Sequence, residues 1–263
     1  MRLLLAILAF FYLADPVWAA RQSAAGATDK ISVASSTAYD VTEFTVMGWF
    51  YIDTLAEFKV LVARRNAGST TGFDLEAWTP NTTLAWGVAV GGTMFISTVA
   101  SALTSGTWMH LAMRYRQSDG LKQLVKNGAQ IGTATNAGTY SQPTGEAMAW
   151  LNDASDNKAL PARVADGRYY AAFLTDAEIA DAMRGGPGLT RGDACRAWLP
   201  FFGVSSPEPN FCTPASTGTL TNTVRIDHPP ALGFPMMSAR RIGRTPVAAT
   251  GGVSRMLLLG VGP

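Results

Sequence analysis

The chain has 263 residues, of which 48% are hydrophobic and only 15% are charged. This length is enough to bury the core of one large all-β domain or of two smaller ones. With so few charges, the surface must consist largely of neutral polar residues, which suits an extracellular sandwich. The formal net charge of +2, with no long run of Lys and Arg, excludes the electrostatic footprint of a nucleic-acid-binding protein.

The first twenty residues have the layout of an export signal. Arg2 supplies a positive start, residues 3–13 form an unbroken apolar run, and Val17-Trp18-Ala19 offers small residues to a signal peptidase. The apolar run is well short of the ~20 residues that a membrane-spanning helix needs. We interpret residues 1–20 either as a signal peptide or as an apolar N-terminal arm that is kept and buried against a partner subunit.

From about residue 28 the chain consists of short β-prone runs separated by Gly, Asn, Asp, Ser and Pro, a pattern typical of sandwiches and jelly rolls. In the first long run, alternate residues from Phe44 to Ile52 share one face. Another run leads into Asn127-Gly128, the strongest short hairpin signal. The predicted strands are 44–52, 60–63, 72–78, 84–90, 108–116, 123–128 and 169–173.

One helix is predicted after the last of these strands. Thr175 and Glu178 have the spacing of a capping box, in which a hydroxyl and a carboxylate satisfy free backbone N–H groups. Gly185-Gly186-Pro187 ends the helix after two to three turns.

The chain has two cysteines, Cys195 and Cys212. In an exported protein an even number favours a disulfide, whereas in a reducing cytoplasm two buried free thiols are the alternative. C-x-x-C spacing is absent and His110 and His228 are the only histidines, which argues against a zinc site.

Several segments, taken in order, resemble laminin-G-like, concanavalin-A-like jelly-roll domains, of the single-domain kind found in bacteriophages and marine bacteria. The resemblance covers roughly residues 25–187 and rests on 29–33, 44–49, 106–112, Asn127-Gly128, 166–168 and 174–179. It implies an all-β antiparallel sandwich with one short helix near the end of the main domain. It informs the fold far more than the activity.

The tail extends this resemblance. Residues 198–200 and 218–221 are similar to a strand pair that closes such sandwiches by pairing with the first strands. We therefore assign residues 21–230 to the sandwich and 231–263 to a C-terminal arm rich in Gly, Pro and Arg. The apolar end of this arm, 256–261, fits an oligomer contact or an extra edge strand equally well.

Catalytic relatives in this fold carry a Glu-x-Asp-x-Glu strand motif with a nucleophile and an acid/base. Here the corresponding segment has Gly72 in place of the nucleophile, followed by Asp74 and Glu76, which we interpret as a solvated strand face. His110 lies within an alternating strand, which is typical of a structural histidine, and His228 is predicted to be exposed. The sequence therefore predicts no enzyme.

An oxygen-rich loop precedes the closing strand, where relatives often hold Ca²⁺. Its candidate ligands are Asn152, Asp153 and Asp156. The acidic residues that the family carries after Gly167-Arg168 are replaced, however, and an ordinary polar turn is the other interpretation. Ca²⁺ is the only cofactor that the sequence suggests.

Sugar binding needs aromatic rings at strand ends or in loops, with polar neighbours. Trp49, Trp86 and Trp108 lie within alternating strands and are predicted to be core. For Trp78 and Trp150, core or loop packing is the alternative to ligand contact. The candidate ligand-binding residues are Trp78, Asn81, Tyr140, Trp150 and Tyr169.

Together these patterns predict a non-catalytic binding or structural module, displayed outside the cell or on a virion surface. It either recognises a glycan or another cell-surface ligand, or decorates a larger assembly such as a phage virion, as a decoration, cement or fibre protein against capsid or tail proteins. The apolar arms favour a homo-oligomer, with a trimer as one form. A secreted bacterial lectin-like protein is the alternative, and a glycoside hydrolase is less favoured.

Overall fold

The computed structural model describes residues 19–153, 157–185, 190–201, 206–212 and 216–227. The described residues contain fifteen strands, one α-helix, α1 (Asp176–Met183), and one turn of 3-10 helix (Thr37–Tyr39). None of the helices in these ranges is long and apolar enough to cross a membrane. The strands are β1 (Ala19–Ser23), β2 (Lys30–Val33), β3 (Glu43–Ile52), β4 (Lys59–Arg65), β5 (Gly72–Trp78), β6 (Thr83–Val90), β7 (Thr93–Val99), β8 (Trp108–Arg116), β9 (Leu121–Lys126), β10 (Ala129–Thr135), β11 (Met148–Trp150), β12 (Ala162–Tyr170), β13 (Cys195–Leu199), β14 (Gly218–Thr221) and β15 (Val224–Asp227).

The strands form two antiparallel sheets packed face to face. The eight-stranded sheet has the order β10-β9-β8-β3-β12-β1-β15, with β13 as a further partner of β12. The seven-stranded sheet has the order β14-β2-β11-β4-β5-β6-β7. The predicted all-β antiparallel sandwich with one short helix is confirmed.

The core lies between the sheets and follows from strand alternation. The predicted inward residues of β3, including Phe44 and Phe50, are fully buried. Phe44 meets Phe73 of the opposite sheet at 4.7 Å between ring centroids. Because a strand turns alternate side chains to one face, the periodicity of β3 identified its core face correctly.

The predicted helix is confirmed, and it packs on the outer face of the eight-stranded sheet. The Thr175 N–H donates to Glu178 Oε2 at 2.7 Å, and the Glu178 N–H donates to Thr175 Oγ1 at 3.2 Å, which completes the capping box. Ile179 and Ala182 are buried against this face of the sheet.

The tail closes the sandwich in a way that the prediction describes only in part. β14 pairs with β2, one of the first strands, as predicted. β13 instead pairs with β12, so the prediction is wrong for the segment at 198–200.

The late strand predicted at 169–173 also differs, because β12 begins at Ala162 and ends at Tyr170. A disulfide joins Cys195 to Cys212, with 5.6 Å between their Cα atoms.

Both ends of the described sandwich lie at one side of the eight-stranded sheet. β1 is placed between β12 and β15, and Ala19 is the register partner of Asp227. Ala19 and Ala20, which we assigned to the leader or N-terminal arm, belong to β1. Residues 1–18 and the predicted arm at 231–263 lie outside the described residues, so both assignments stay predictions.

Candidate functional site

Strand β5 carries its polar residues on the outer face of the seven-stranded sheet. The odd-numbered residues from Phe73 to Ala77 are buried in the core, so alternation turns Asp74, Glu76 and Trp78 outward. Neighbours two residues apart on this face are separated by about 6–7 Å. The strand thus places two carboxylates and one indole in a single line.

The two carboxylates are not solvated, which corrects the sequence-based interpretation. Asp74 and Glu76 are each 1% exposed. Arg65 of β4 lies 3.4 Å from Asp74, measured from Nη1 to Oδ2, and the Lys158 ammonium is 3.0 Å from Glu76 Oε2. Alternation identifies the outer face of a strand but does not show what covers that face.

Asp74 is the least satisfied group of this cluster. Neither of its carboxylate oxygens has a hydrogen-bond partner, although both are buried. The Arg65 Nη2 group donates instead to Asp153 Oδ2 at 3.1 Å. Burial, and then the nearby charge of Glu76, raise the pKa of Asp74 from 3.8 to about 6.

The glycine on the neighbouring strand makes room for this carboxylate. Gly87 of β6 is the register partner of Asp74. A Cβ atom at Gly87 would lie 2.4 Å from Asp74 Oδ1 and 2.9 Å from Met94 Sδ. The carboxylate and the thioether therefore occupy the space over the glycine, and a side chain at this position would force at least one of them to move.

An aromatic rim lies beside the cluster, formed by Trp78 and Phe58. Trp78 is half-buried at the end of β5, and Phe58 is 43% exposed. The two rings meet edge to face, with 4.9 Å between their centroids. Phe58 has a φ of 56°, which costs energy for a bulky side chain and is common at ligand sites.

The aromatic rim and its neighbours have the chemistry of a small polar site. Trp78 offers an aromatic ring, Asn81 follows in the next turn and is half-buried, and Lys158 is 25% exposed on its pair with Glu76. An apolar ring edged by an amide and a charged pair suits a ligand with one apolar face and several hydroxyl groups.

The other three aromatic candidates are not available to a ligand, and for them the prediction is wrong. Tyr140 is 4% exposed, Trp150 is 0% exposed and Tyr169 is 1% exposed, all within the main core. The Tyr169 hydroxyl donates to the Tyr39 carbonyl at 3.1 Å. Each of the three residues lies on or beside a strand, on the face that the opposite sheet covers. The position of a residue in the sequence does not show this contact.

The two described residues of the candidate calcium loop have partners within the chain. Asn152 Oδ1 accepts the backbone N–H groups of Asp153 and Lys158, each at 2.9 Å. Asp153 Oδ2 is bonded to Arg65. These two oxygens therefore already have partners within the chain, and the calcium site stays a prediction. Asp156 lies outside the described residues.

Within the described ranges, no group of three or more His, Cys, Asp or Glu side chains is arranged to hold a metal ion.

His110 is buried, as expected for a structural histidine. It is 1% exposed and meets the Trp49 ring edge to face at 5.4 Å. Burial, and then the positive charge of Arg168, lower the pKa of His110 from 6.5 to about 3, so the ring is neutral. His228, predicted to be exposed, lies outside the described residues.

A second aromatic cluster lies on the opposite face of the molecule, and the sequence-based prediction missed it. Trp108 is half-buried and is not part of the core, contrary to the prediction. The centroids of the Trp108 and Tyr51 rings are 5.6 Å apart. The Arg163 guanidinium lies 4.5 Å from the centroid of Tyr51 and pairs with Asp53 at 2.8 Å. Since Met109 faces the core, the alternation of β8 was a usable sign that Trp108 faces outward.

Comparison with known proteins identifies the family of the chain. Residues 25–180, more than half of the chain, match the model of the Concanavalin A-like lectin/glucanases superfamily. A search of curated proteins finds no match for the sequence.

Two solved structures illustrate the shared fold. A Bacteroides ovatus protein designated as carbohydrate-binding is 14% identical with a TM-score of 0.62, over 80% of this chain and 60% of its own. A heptameric SAP-like pentraxin from Limulus polyphemus is 12% identical with a TM-score of 0.50, over 65% of this chain and 85% of its own. At these identities the likeness concerns the fold alone.

Proposed function

The chain belongs to the Concanavalin A-like lectin/glucanases superfamily, and from that premise we propose that it is a non-catalytic module that binds glycans around Trp78. The Trp78–Phe58 pair is the observation that carries this proposal. Its rings meet at 4.9 Å beside the Glu76–Lys158 ion pair. A sugar presents an apolar C–H face to such a ring and its hydroxyl groups to the polar neighbours. The carbohydrate-binding designation of the Bacteroides ovatus protein is consistent with it.

The absence of catalysis is part of the proposal. A retaining glycosidase needs two carboxyl groups about 5–5.5 Å apart on either side of the scissile bond, with access for water. In this chain Gly72 stands where the nucleophile of catalytic relatives would be. Asp74 and Glu76 are both buried, and each faces a cation of the chain.

The proposal is tested by screening the protein on an array of neutral and acidic glycans, then titrating the best ligand by calorimetry. We expect Trp78→Ala to weaken binding by roughly 10-fold or more, as for loss of a central aromatic contact. Trp108→Ala is the matched control, because it removes a half-buried tryptophan from the opposite face. Equal losses in both variants, or no binding to any glycan by the folded protein, would contradict the proposal.

We also propose that the module acts outside the cell. The Cys195–Cys212 disulfide and the apolar start of the chain support an oxidising, exported environment. The second candidate is a virion component, assembled in the host cell, that decorates a capsid or tail. The intact mass of the native protein separates the two. Loss of the leader with no reactive thiol supports export, whereas a mass starting at Met1 with two free thiols supports the virion component.

A further inference from the structure

The outer edge of β7 has unpaired backbone groups. β7 joins β6 through a hairpin at Gly91-Gly92, and Val90 is the register partner of Thr93. From this closing pair, alternation directs the N–H and C=O groups of Met94, Ile96 and Thr98 away from β6. Within the described residues β6 is the only strand that pairs with β7, so this row of groups is free to bond.

The other edges of the two sheets, among the described residues, are those of β10, β13, β14 and β15, and each is bonded or blunted. The edge of β13 is bonded at Trp198, whose N–H donates to Asn210 Oδ1 at 2.8 Å and whose carbonyl accepts the Phe211 N–H at 3.0 Å. β10 has a bulge between Gln130 and Gly132, and β14 and β15 have four residues each. Bulges and short strands protect edges against pairing with another chain. β7 has seven residues in regular register and no such device.

The composition of β7 also favours association. Its sequence, residues 93–99, contains no charge and no proline, which are the usual guards of an edge strand. Phe95 and Ile96 are 39% and 40% exposed, among the most exposed large apolar side chains that the structure describes. The Lys122 Nζ group donates to the Phe95 carbonyl from within the sandwich. Because Lys122 is buried, it places no charge on the outer edge of β7.

We propose that β7 pairs antiparallel with β7 of a second copy of this chain, about a two-fold axis through Ile96. In this register Ile96 faces its own copy and Met94 faces Thr98 of the second copy. All three free residues then bond, with about six backbone hydrogen bonds across the interface. An axis through Phe95 or Ser97 would use only about four. The interface is isologous and closes as a dimer.

The pairing joins the two seven-stranded sheets into one continuous sheet. Both Trp78 side chains then lie on the same outer face. The two β5 strands are five strand spacings apart, about 24 Å. The dimer does not depend on the ligand of the Trp78 surface, and a failure of either proposal leaves the other intact.

Sedimentation equilibrium of the full chain tests the proposal, with Ile96→Lys as the main variant. We expect the native protein to be a dimer. Ile96→Lys removes the apolar contact at the axis and places two like charges opposite one another. Its dissociation constant should rise by about 100-fold or more. Thr219→Lys is the matched control, because it adds the same charge to an exposed position of β14, the edge strand at the opposite end of the same sheet, and it should remain dimeric.

A rescue experiment identifies the register. Ile96→Glu alone should also be monomeric, but an equimolar mixture with Ile96→Lys should form the mixed dimer, since residue 96 faces residue 96. Circular dichroism checks that both variants are folded. If either is not, Thr98→Lys replaces it; because Thr98 lies farther from the axis, this variant should raise the dissociation constant by a smaller factor. A monomeric or trimeric native protein, or a dimer that survives Ile96→Lys, overturns the proposal.

Discussion

Replacing Asp74 by Asn should change how the stability of the protein responds to acid. The folded state raises the pKa of Asp74 from 3.8 to about 6. The native protein therefore binds this proton more tightly than the unfolded chain does, and the free energy of unfolding rises as the pH falls from 6 towards 4. This is the reverse of the usual behaviour of a paired carboxylate, because burial, and then the charge of Glu76, disfavour the ionised form of Asp74.

His110 acts in the opposite direction over the same range. Its pKa is lowered from 6.5 to about 3 in the folded state, so the unfolded chain takes up its proton first. The free energy of unfolding then falls as the pH drops below 6.5. When the pH falls from about 7.5 to about 5, His110 lowers the free energy of unfolding by about 2 kcal/mol and Asp74 raises it by about 1 kcal/mol. The native protein should therefore lose about 1 kcal/mol of stability over this range.

The two contributions are separated by urea unfolding at these two pH values. Asp74→Asn should lose about 2 kcal/mol on acidification, because the contribution of His110 is no longer offset. His110→Gln should instead become about 1 kcal/mol more stable in acid. The change between the two pH values is the measured quantity, so a general destabilisation by either substitution does not affect the test. If Asp74→Asn keeps the slope of the native protein, the assignment of a raised pKa to Asp74 is wrong.

Three further predictions concern unfolding in urea at neutral pH. Gly87→Ala should destabilise by about 1–3 kcal/mol, since its Cβ meets a carboxylate and a thioether. Gly68→Ala is the control and should be near neutral, because its Cβ would make only ordinary van der Waals contacts, at 3.9 Å from Asn66 Nδ2 and 4.0 Å from Thr70 Cγ2. Arg168→Met should cost about 3–5 kcal/mol of stability, because it leaves the buried carboxylate of Asp166 without its cation. A cost below about 1 kcal/mol would contradict the pairing of Arg168 with Asp166. Replacing Cys195 and Cys212 by Ala should cost about 3 kcal/mol through the loop that they close, and no change would indicate that the native thiols are not joined.

Local signals predicted local structure well. The capping box at Thr175 and Glu178 marked the start of α1, and the alternation from Phe44 identified the core face of β3. Asn127-Gly128 forms the predicted turn between β9 and β10, with φ of 51° and 81°. These features depend on residues a few positions apart, so the physics that determines them is contained in a short segment.

Non-local contacts were harder to predict. The burial of Asp74 depends on Arg65 of β4, and the burial of Trp150 depends on the tail, whose Phe201 ring lies 6.0 Å from it. Periodicity says which residues share a face, but it does not say which distant segment covers the face. For the candidate site, the sequence therefore identified Trp78 and Asn81 but not Phe58 or the ion pairs beside them.

The register of Ala19 against Asp227 has a consequence for how the sandwich can be joined to other proteins. Register partners in an antiparallel pair are about 4.5–5.5 Å apart, so the described fold begins and ends at almost the same point. A surface loop of a host protein spans a gap of this size without distortion. The sandwich is thus geometrically suited to insertion as a unit within another chain, as well as to attachment at either terminus.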